Sequence, residues 1–256
     1  MDNKALLGNR NEKDFVTNFN LGKKDVVSKE MQLDGNSVVA VHLTSLVYSD
    51  FYQKKIYPKS DACLLSIDKT LASLIIKNPY LSDKNEYVQQ IFSKSFVKNS
   101  GISIKLQGKK YTIHKMGPEF FKNVFEIPEL AAGASIYCKK QEEITKNSKL
   151  IKQWGSNIEK FIEYFSKELN TQVKVDNLDD LQKIKSFSNM RIKKIIQSNQ
   201  KIWELIFIGK HSFQDPFYAQ WIYNLEKFKE IKPSEDFTVT TGSGRSKGIY
   251  TLIIKP

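Results

Sequence analysis

Cysteine is nearly missing from the sequence: two residues in 256, too few for a disulfide framework. Cys63 lies in the apolar run Ala62-Cys63-Leu64-Leu65 and Cys138 follows Ile136-Tyr137, so both are expected as buried thiols. Histidine is as scarce. His42, His114 and His211 stand too far apart for an H-x-x-x-H pair, which excludes a zinc site of that kind. No apolar stretch approaches the length of a membrane span, and the opening residues Met1-Asp2-Asn3-Lys4-Ala5-Leu6-Leu7-Gly8 lack a signal-peptide core. A cytoplasmic protein with no membrane partner is expected. There are no repeats or low-complexity tracts, and Gly242-Ser243-Gly244 lacks the lysine and the strand-to-helix setting of a phosphate-binding loop. Acidic residues are in the minority, 28 Asp+Glu against 40 Lys+Arg for a net charge of +12, which favours a polyanionic partner.

What is present alternates between helical and strand periodicity. Phe15, Val16 and Phe19 form the stripe of a first helix over residues 10–20, with Glu12 on its polar side. Residues 37–43 read as a strand or the start of a buried helix, and residues 62–65 as a strand covered on both faces. In Gly101-Ile102-Ser103-Ile104-Lys105-Leu106-Gln107 apolar and polar residues alternate with a period of two. Residues 111–115 are expected as a third strand in hairpin contact with it. Residues 79–96 are expected as an intervening helix, residues 142–170 as the longest helix and residues 178–203 as a basic one. Residues 205–208 read as a buried strand, and residues 217–227 as a short helix or a strand. Residues 237–241 and 249–255 flank a glycine-rich tip, the signature of a C-terminal β-hairpin. The fold class expected is α/β, a mixed central sheet flanked by helices, in a single domain over 1–256.

The candidate chemistry centres on three residues. Asp61 stands where polar sequence gives way to an apolar strand, and the alternation places Ser103 and Lys105 on one side of another. If these strands are neighbours the three converge. A carboxylate, a hydroxyl and a lysine at one spot can hold a divalent cation and offer positive charge to a phosphate, a phosphodiesterase-like arrangement. Cationic residues elsewhere suit phosphate contact: Lys109 and Lys110 in a basic turn, Lys193 and Lys194 on the helix over 178–203, and Arg245 and Lys247 on the hairpin tip. The polar loop from Gly209 to Asp215 contains Lys210, His211 and Gln214, and such loops often carry function.

Asn11-Glu12-Lys13-Asp14, Pro58-Lys59-Ser60-Asp61, Ser103-Ile104-Lys105 and the terminal run from Gly244-Arg245-Ser246 to Leu252-Ile253-Ile254-Lys255-Pro256, in this order, resemble the monomeric type II restriction endonucleases of the MspI and HinP type. These belong to the PD-(D/E)XK nuclease superfamily. The resemblance touches both ends and the centre of the chain and leaves residues 142–199 without correspondence. It implies that Asp61 ligates Mg²⁺, that Lys105 orients or activates the attacking water, and that Ser103 occupies the slot between them. The backbone carbonyl of Ile104 would complete the metal shell, and Glu12 would face it through water. Ser103 departs from the pattern, which has Asp or Glu there or, in the monomeric relatives, an amide. A hydroxyl is the poorer Mg²⁺ ligand. The function implied is Mg²⁺-dependent hydrolysis of double-stranded DNA at a short specific sequence, by a monomer paired with a protecting DNA methyltransferase. Residues 1–138 would be the catalytic half and 139–256 the recognition half. In that reading the basic helix sets register on phosphates, and Lys210, His211, Gln214, Arg245 and Lys247 reach base edges or phosphates, with Arg245 suited to guanine. Two other readings are a basic DNA- or RNA-binding protein without catalysis, in which Asp61 and Lys105 form only an ion pair, and a structure-specific repair nuclease of the same superfamily.

Overall fold

Short apolar segments such as Val38-Val39-Ala40-Val41 and Ala62-Cys63-Leu64-Leu65 are buried along their whole length, and the rest of the fold covers them. The computed structural model describes residues 3–23, 25–33, 38–77, 95–105, 111–224, 227–233, 236–241 and 250–256. In chain order these form α1 (Asn3–Asn20), α2 (Asp25–Met31), β1 (Val38–His42), α3 (Ser45–Tyr52), β2 (Ala62–Ser66), α4 (Lys69–Lys77), β3 (Ile102–Lys105) and β4 (His114–Met116). There follow α5 (Pro118–Phe125), α6 (Pro128–Ser135), α7 (Gln141–Ile144), α8 (Asn147–Gln153), α9 (Ile158–Glu168), α10 (Leu178–Ser198), α11 (Gln200–Phe207), β5 (Trp221–Asn224), β6 (Lys227–Glu230), β7 (Thr238–Thr241) and β8 (Leu252–Lys255). The expected helix over 79–96 lies outside the described residues except at its last two positions.

The chain divides into two compact units: Met1–Lys109 with Glu204–Lys232, and Lys110–Trp203 with Pro233–Pro256. An expected division at residues 138/139 does not coincide with them, because β5 returns to pair with β3. In the first unit the sheet order is β1-β2-β3-β5-β6. Neighbouring strands are antiparallel except β3 and β5, which are parallel. Strand alternation sorts the side chains. Val38, Ala40, Ala62, Leu64, Ile102 and Ile104 pack with Phe15, Val16 and Phe19 of α1 and Val27 of α2. Val39, Val41, Cys63 and Leu65 pack on the other face with Val47 and Tyr48 of α3 and Ala72 and Ile75 of α4. This is a mixed central sheet with helices on both faces, as expected, and residues 38–42 and 221–224 both resolve as strands. Gly101 leads into β3 where a Cβ would meet Tyr218 O at 1.9 Å and Pro216 O at 2.7 Å. Only glycine lets these backbones approach so closely.

The second unit has the sheet β4-β8-β7, in which β7 and β8 are the antiparallel arms of the expected hairpin. Residues 114–116 pair with β8 rather than with β3, which corrects the expected hairpin of residues 111–115 with the preceding strand; sequence proximity misled where a more distant strand supplied the partner. The small residues of α6 serve packing, since a Cβ on Gly133 would stand 2.2 Å from Ser188 Oγ and 2.6 Å from Phe165 Cζ. The helix expected over 142–170 is three helices, interrupted at Gly155 (φ +92°) and restarted by Asn157, whose side chain accepts from Lys160 N–H at 2.8 Å. The basic helix stops at Ser198 and restarts as α11 after Asn199, whose side chain accepts from Ile202 N–H at 3.1 Å. Residues 205–207, expected as strand, belong to α11. Trp203, Ile206 and Phe207 are its buried positions, a helical spacing that the unbroken apolar run hides.

Candidate active site

Residues 59–61 are pinned before they reach β2. The Lys59 and Ser60 N–H groups donate to Phe217 O at 3.0 and 3.1 Å, and Ser60 Oγ donates to Pro216 O at 2.8 Å. Asp61 then joins the sheet through its backbone: its N–H donates to Ile102 O at 2.8 Å, and its carbonyl accepts from Leu43 N–H at 2.9 Å. Because Ala62, Ile102 and Ile104 face α1, the residues alternating with them, Asp61, Ser103 and Lys105, share the opposite face. The convergence is direct for two of the three. Ser103 Oγ donates to Asp61 Oδ2 at 3.2 Å, and the Ile104 N–H donates to the same oxygen at 2.6 Å. Asp61 is partly buried and Ser103 only 3% exposed.

Electrostatics divides the neighbours into two camps. Burial pushes the Asp61 carboxyl above its ordinary range and the Glu12 charge pushes it the same way, while Lys105, the Ile104 N–H and the Ser103 hydroxyl favour the carboxylate. Lys105, partly buried, acts on Asp61 through space, without a direct ion pair among the described residues. Lys59 is a second cation at this site. Burial drives its ammonium down to about 7, with Lys105 adding to the shift and Asp61 opposing it, and its Nζ donates to Ile206 O at 3.0 Å.

Glu12 is brought near but has a partner of its own. It lies on α1, and its Oε2 is 2.8 Å from Nε2 of His42, a residue 5% exposed whose place in β1 puts it on the α1 face. Among the described residues no three His, Cys, Asp or Glu side chains gather as a metal cluster. The donor set is therefore one carboxylate, a hydroxyl and backbone carbonyls. Mg²⁺ tolerates such a set, because it holds several waters and takes one or two carboxylates together with substrate phosphates. Oδ2 of Asp61 already carries the two hydrogen bonds, which leaves Oδ1 to face a cation. Ser103 keeps lone pairs for the same purpose after donating its proton.

The cationic residues behave unequally. Lys194 is exposed, whereas Lys193 pairs with Asp236 and lies 5.4 Å from the centre of the Phe237 ring. Lys210 and His211 both pair with Glu204, at 3.5 and 3.1 Å, and exposed Gln214 accepts from the Tyr52 hydroxyl at 3.0 Å. Lys109, Lys110, Arg245 and Lys247 lie outside the described residues. Sequence reasoning missed Lys59 and His42. A signal for Lys59 existed: it stands two residues before Asp61, the spacing of a shared strand face. His42 carried none, since its partner is 30 positions away.

No family model, curated protein or solved structure matches the chain in comparison with known proteins.

Proposed function

We propose that the protein is a Mg²⁺-dependent endonuclease acting on duplex DNA, of the restriction type, with Asp61, Ser103 and Lys105 as its active site. The observation that carries the reading is the pair of hydrogen bonds from Ser103 Oγ and Ile104 N to Asp61 Oδ2. They join residues 42 and 43 positions apart into one polar cluster, with Lys105 two residues on and facing the same way. In this reading Asp61 Oδ1, the Ser103 hydroxyl and the Ile104 carbonyl hold Mg²⁺, which when bound polarises the phosphodiester and makes water a better nucleophile. Lys105 offers its charge to the phosphate and orients the attacking water. Lys59 adds a second, weakly held proton next to it. Glu12, held by His42, raises the negative potential felt by Asp61. The net charge of +12 draws the polyanion in, and Arg191 and Lys194 are exposed cations on α10 able to meet phosphates. A monomer and a companion DNA methyltransferase belong to the same proposal.

The test is incubation of the protein with plasmid in Mg²⁺ and in EDTA, followed by sequencing of the fragment ends. Cleavage in Mg²⁺ alone, at one short recurring sequence, is the expected result. Binding with no cleavage under any divalent cation would assign the protein to the non-catalytic class, and ends clustered at junctions or lesions would make it a structure-specific nuclease.

A further inference from the structure

We propose that the first unit binds a small anion with an apolar body, a carboxylate on an aromatic ring or short chain, in a cavity between α1, α2 and the strands β5 and β6. The cavity measures about 360 Å³, within the ~300–1,000 Å³ range of ligand sites. Phe15 and Phe19 of α1, Val27 of α2 and Phe228 of β6 line it and are themselves part of the buried core, so the space continues an apolar layer. The wall that a ligand reaches is more open: Val26 is 56% exposed and Tyr223 of β5 is half-buried. Leu21, 70% exposed, precedes Gly22 at the rim. A body seated here takes Val26 and the Tyr223 ring out of water.

The polar groups of the lining define the charge. Lys23 and Lys227 are exposed, and neither ammonium has an ion pair among the described residues. Exposed Asn18 and the Tyr223 hydroxyl add further donors, and no carboxylate lines the cavity. That set disfavours a cation and favours an anion. Bare phosphate would meet the lysines and leave the apolar wall wet, whereas a hydrocarbon would cover the wall and leave two ammonium groups beside it unpaired. A carboxylate carried on a ring or short chain meets both, because each lysine stem lies along apolar surface while its head reaches the charge. Duplex DNA can use the same two lysines, but its phosphates bring no apolar body to fill the space. The site uses none of Asp61, Ser103 and Lys105 and stands without the function proposed above.

The probes are 2-naphthoate, its neutral isostere 2-naphthamide, and inorganic phosphate, which has the charge without the body. Each would be titrated by amide chemical shifts against wild type, the double variant Lys23→Gln with Lys227→Gln, and Val26→Asp, with near-ultraviolet circular dichroism confirming that each variant is folded. The expected result is saturable naphthoate binding at one site that shifts the resonances of Asn18, Val26 and Tyr223. Naphthamide and the double lysine variant should each show affinity lowered about tenfold, the size of two exposed ion pairs, and Val26→Asp should weaken naphthoate by setting a carboxylate in the wall. Equal affinity for naphthoate and naphthamide, shifts centred on other residues, no saturable binding, or phosphate reproducing the naphthoate shifts would each overturn the site. A duplex oligonucleotide in EDTA that displaces naphthoate and moves the same resonances assigns the lysines to DNA phosphates and overturns it as well. None of these outcomes depends on cleavage, so a failed plasmid assay sinks the nuclease proposal and leaves this one to its own titrations.

Discussion

One buried polar cluster in each of the two compact units stands in an opposite state. In the first, Asp61 is wrapped: Oδ2 takes the Ser103 and Ile104 donors, and the nearby charges of Lys105 and Glu12 pull its carboxyl in opposite directions. In the second, Ser135 Oγ and Asn189 Oδ1 are buried with nothing bound to them among the described residues. A low-dielectric interior magnifies both conditions. The contrast teaches that a satisfied cluster holds its side chains in place, whereas an unsatisfied one leaves a desolvation cost uncompensated.

The sharpest way to break this comparison is to strip the first cluster of its charges. Asp61→Asn and Lys105→Met should each lower the DNA cleavage rate in Mg²⁺ by about 10²-fold or more, the scale of losing one preorganised electrostatic group, while a cooperative melt shows the fold intact. Gly101→Ala comes next, read in chemical denaturation. A Cβ there runs into backbone oxygens that cannot swing aside, and the loss should reach about 3 kcal/mol, the upper end for forced overpacking.

Two serine truncations set the satisfied state against the unsatisfied one. Ser60→Ala strips the buried Pro216 carbonyl of its donor and should cost about 1–3 kcal/mol, whereas Ser135→Ala removes a hydroxyl that already lacks a partner and should be close to neutral. Equal costs at the two positions would erase the distinction between satisfied and unsatisfied hydroxyls.

Lys59 gives a pH signature. Its folded-state ammonium loses its proton at about 7 while the unfolded one holds it to the ordinary 10.5, so between those values the unfolded chain binds more protons and stability should rise with pH. Denaturation midpoints of Lys59→Met should show less of that rise over the same window. The smallest effects belong to α10. Lys194→Ala should reduce the salt dependence of DNA binding by about one unit of slope, and Lys193→Ala by less, because that ammonium is already paired with Asp236.

How far these features were readable from residues alone depended on the range of the interactions that made them. The alternation Ile102-Ser103-Ile104-Lys105 is local, and it placed Ser103 and Lys105 on one face correctly. That Asp61 would meet them follows from β2 pairing with β3 across the intervening chain, which alternation suggests and cannot fix. Periodicity located the helical regions after residue 140 but not their breaks, since Gly155 needs a left-handed φ and Asn199 a cap that interrupt the stripe without disturbing its spacing. An unbroken apolar run such as Leu205-Ile206-Phe207-Ile208 supports strand and helix equally, and tertiary contact decided it. The Glu12–His42 pair and the cavity between α1, α2 and β6 join residues with no shared pattern. Neither had a sequence signal to find.

The central claim, a divalent cation held where β2 meets β3, can be tested without any cleavage. Mn²⁺ added in small amounts to isotope-labelled protein should broaden the amide signals of Asp61, Ser103, Ile104 and Lys105 before all others, and Asp61→Asn should abolish the effect. Broadening centred elsewhere, or unchanged in Asp61→Asn, would contradict it.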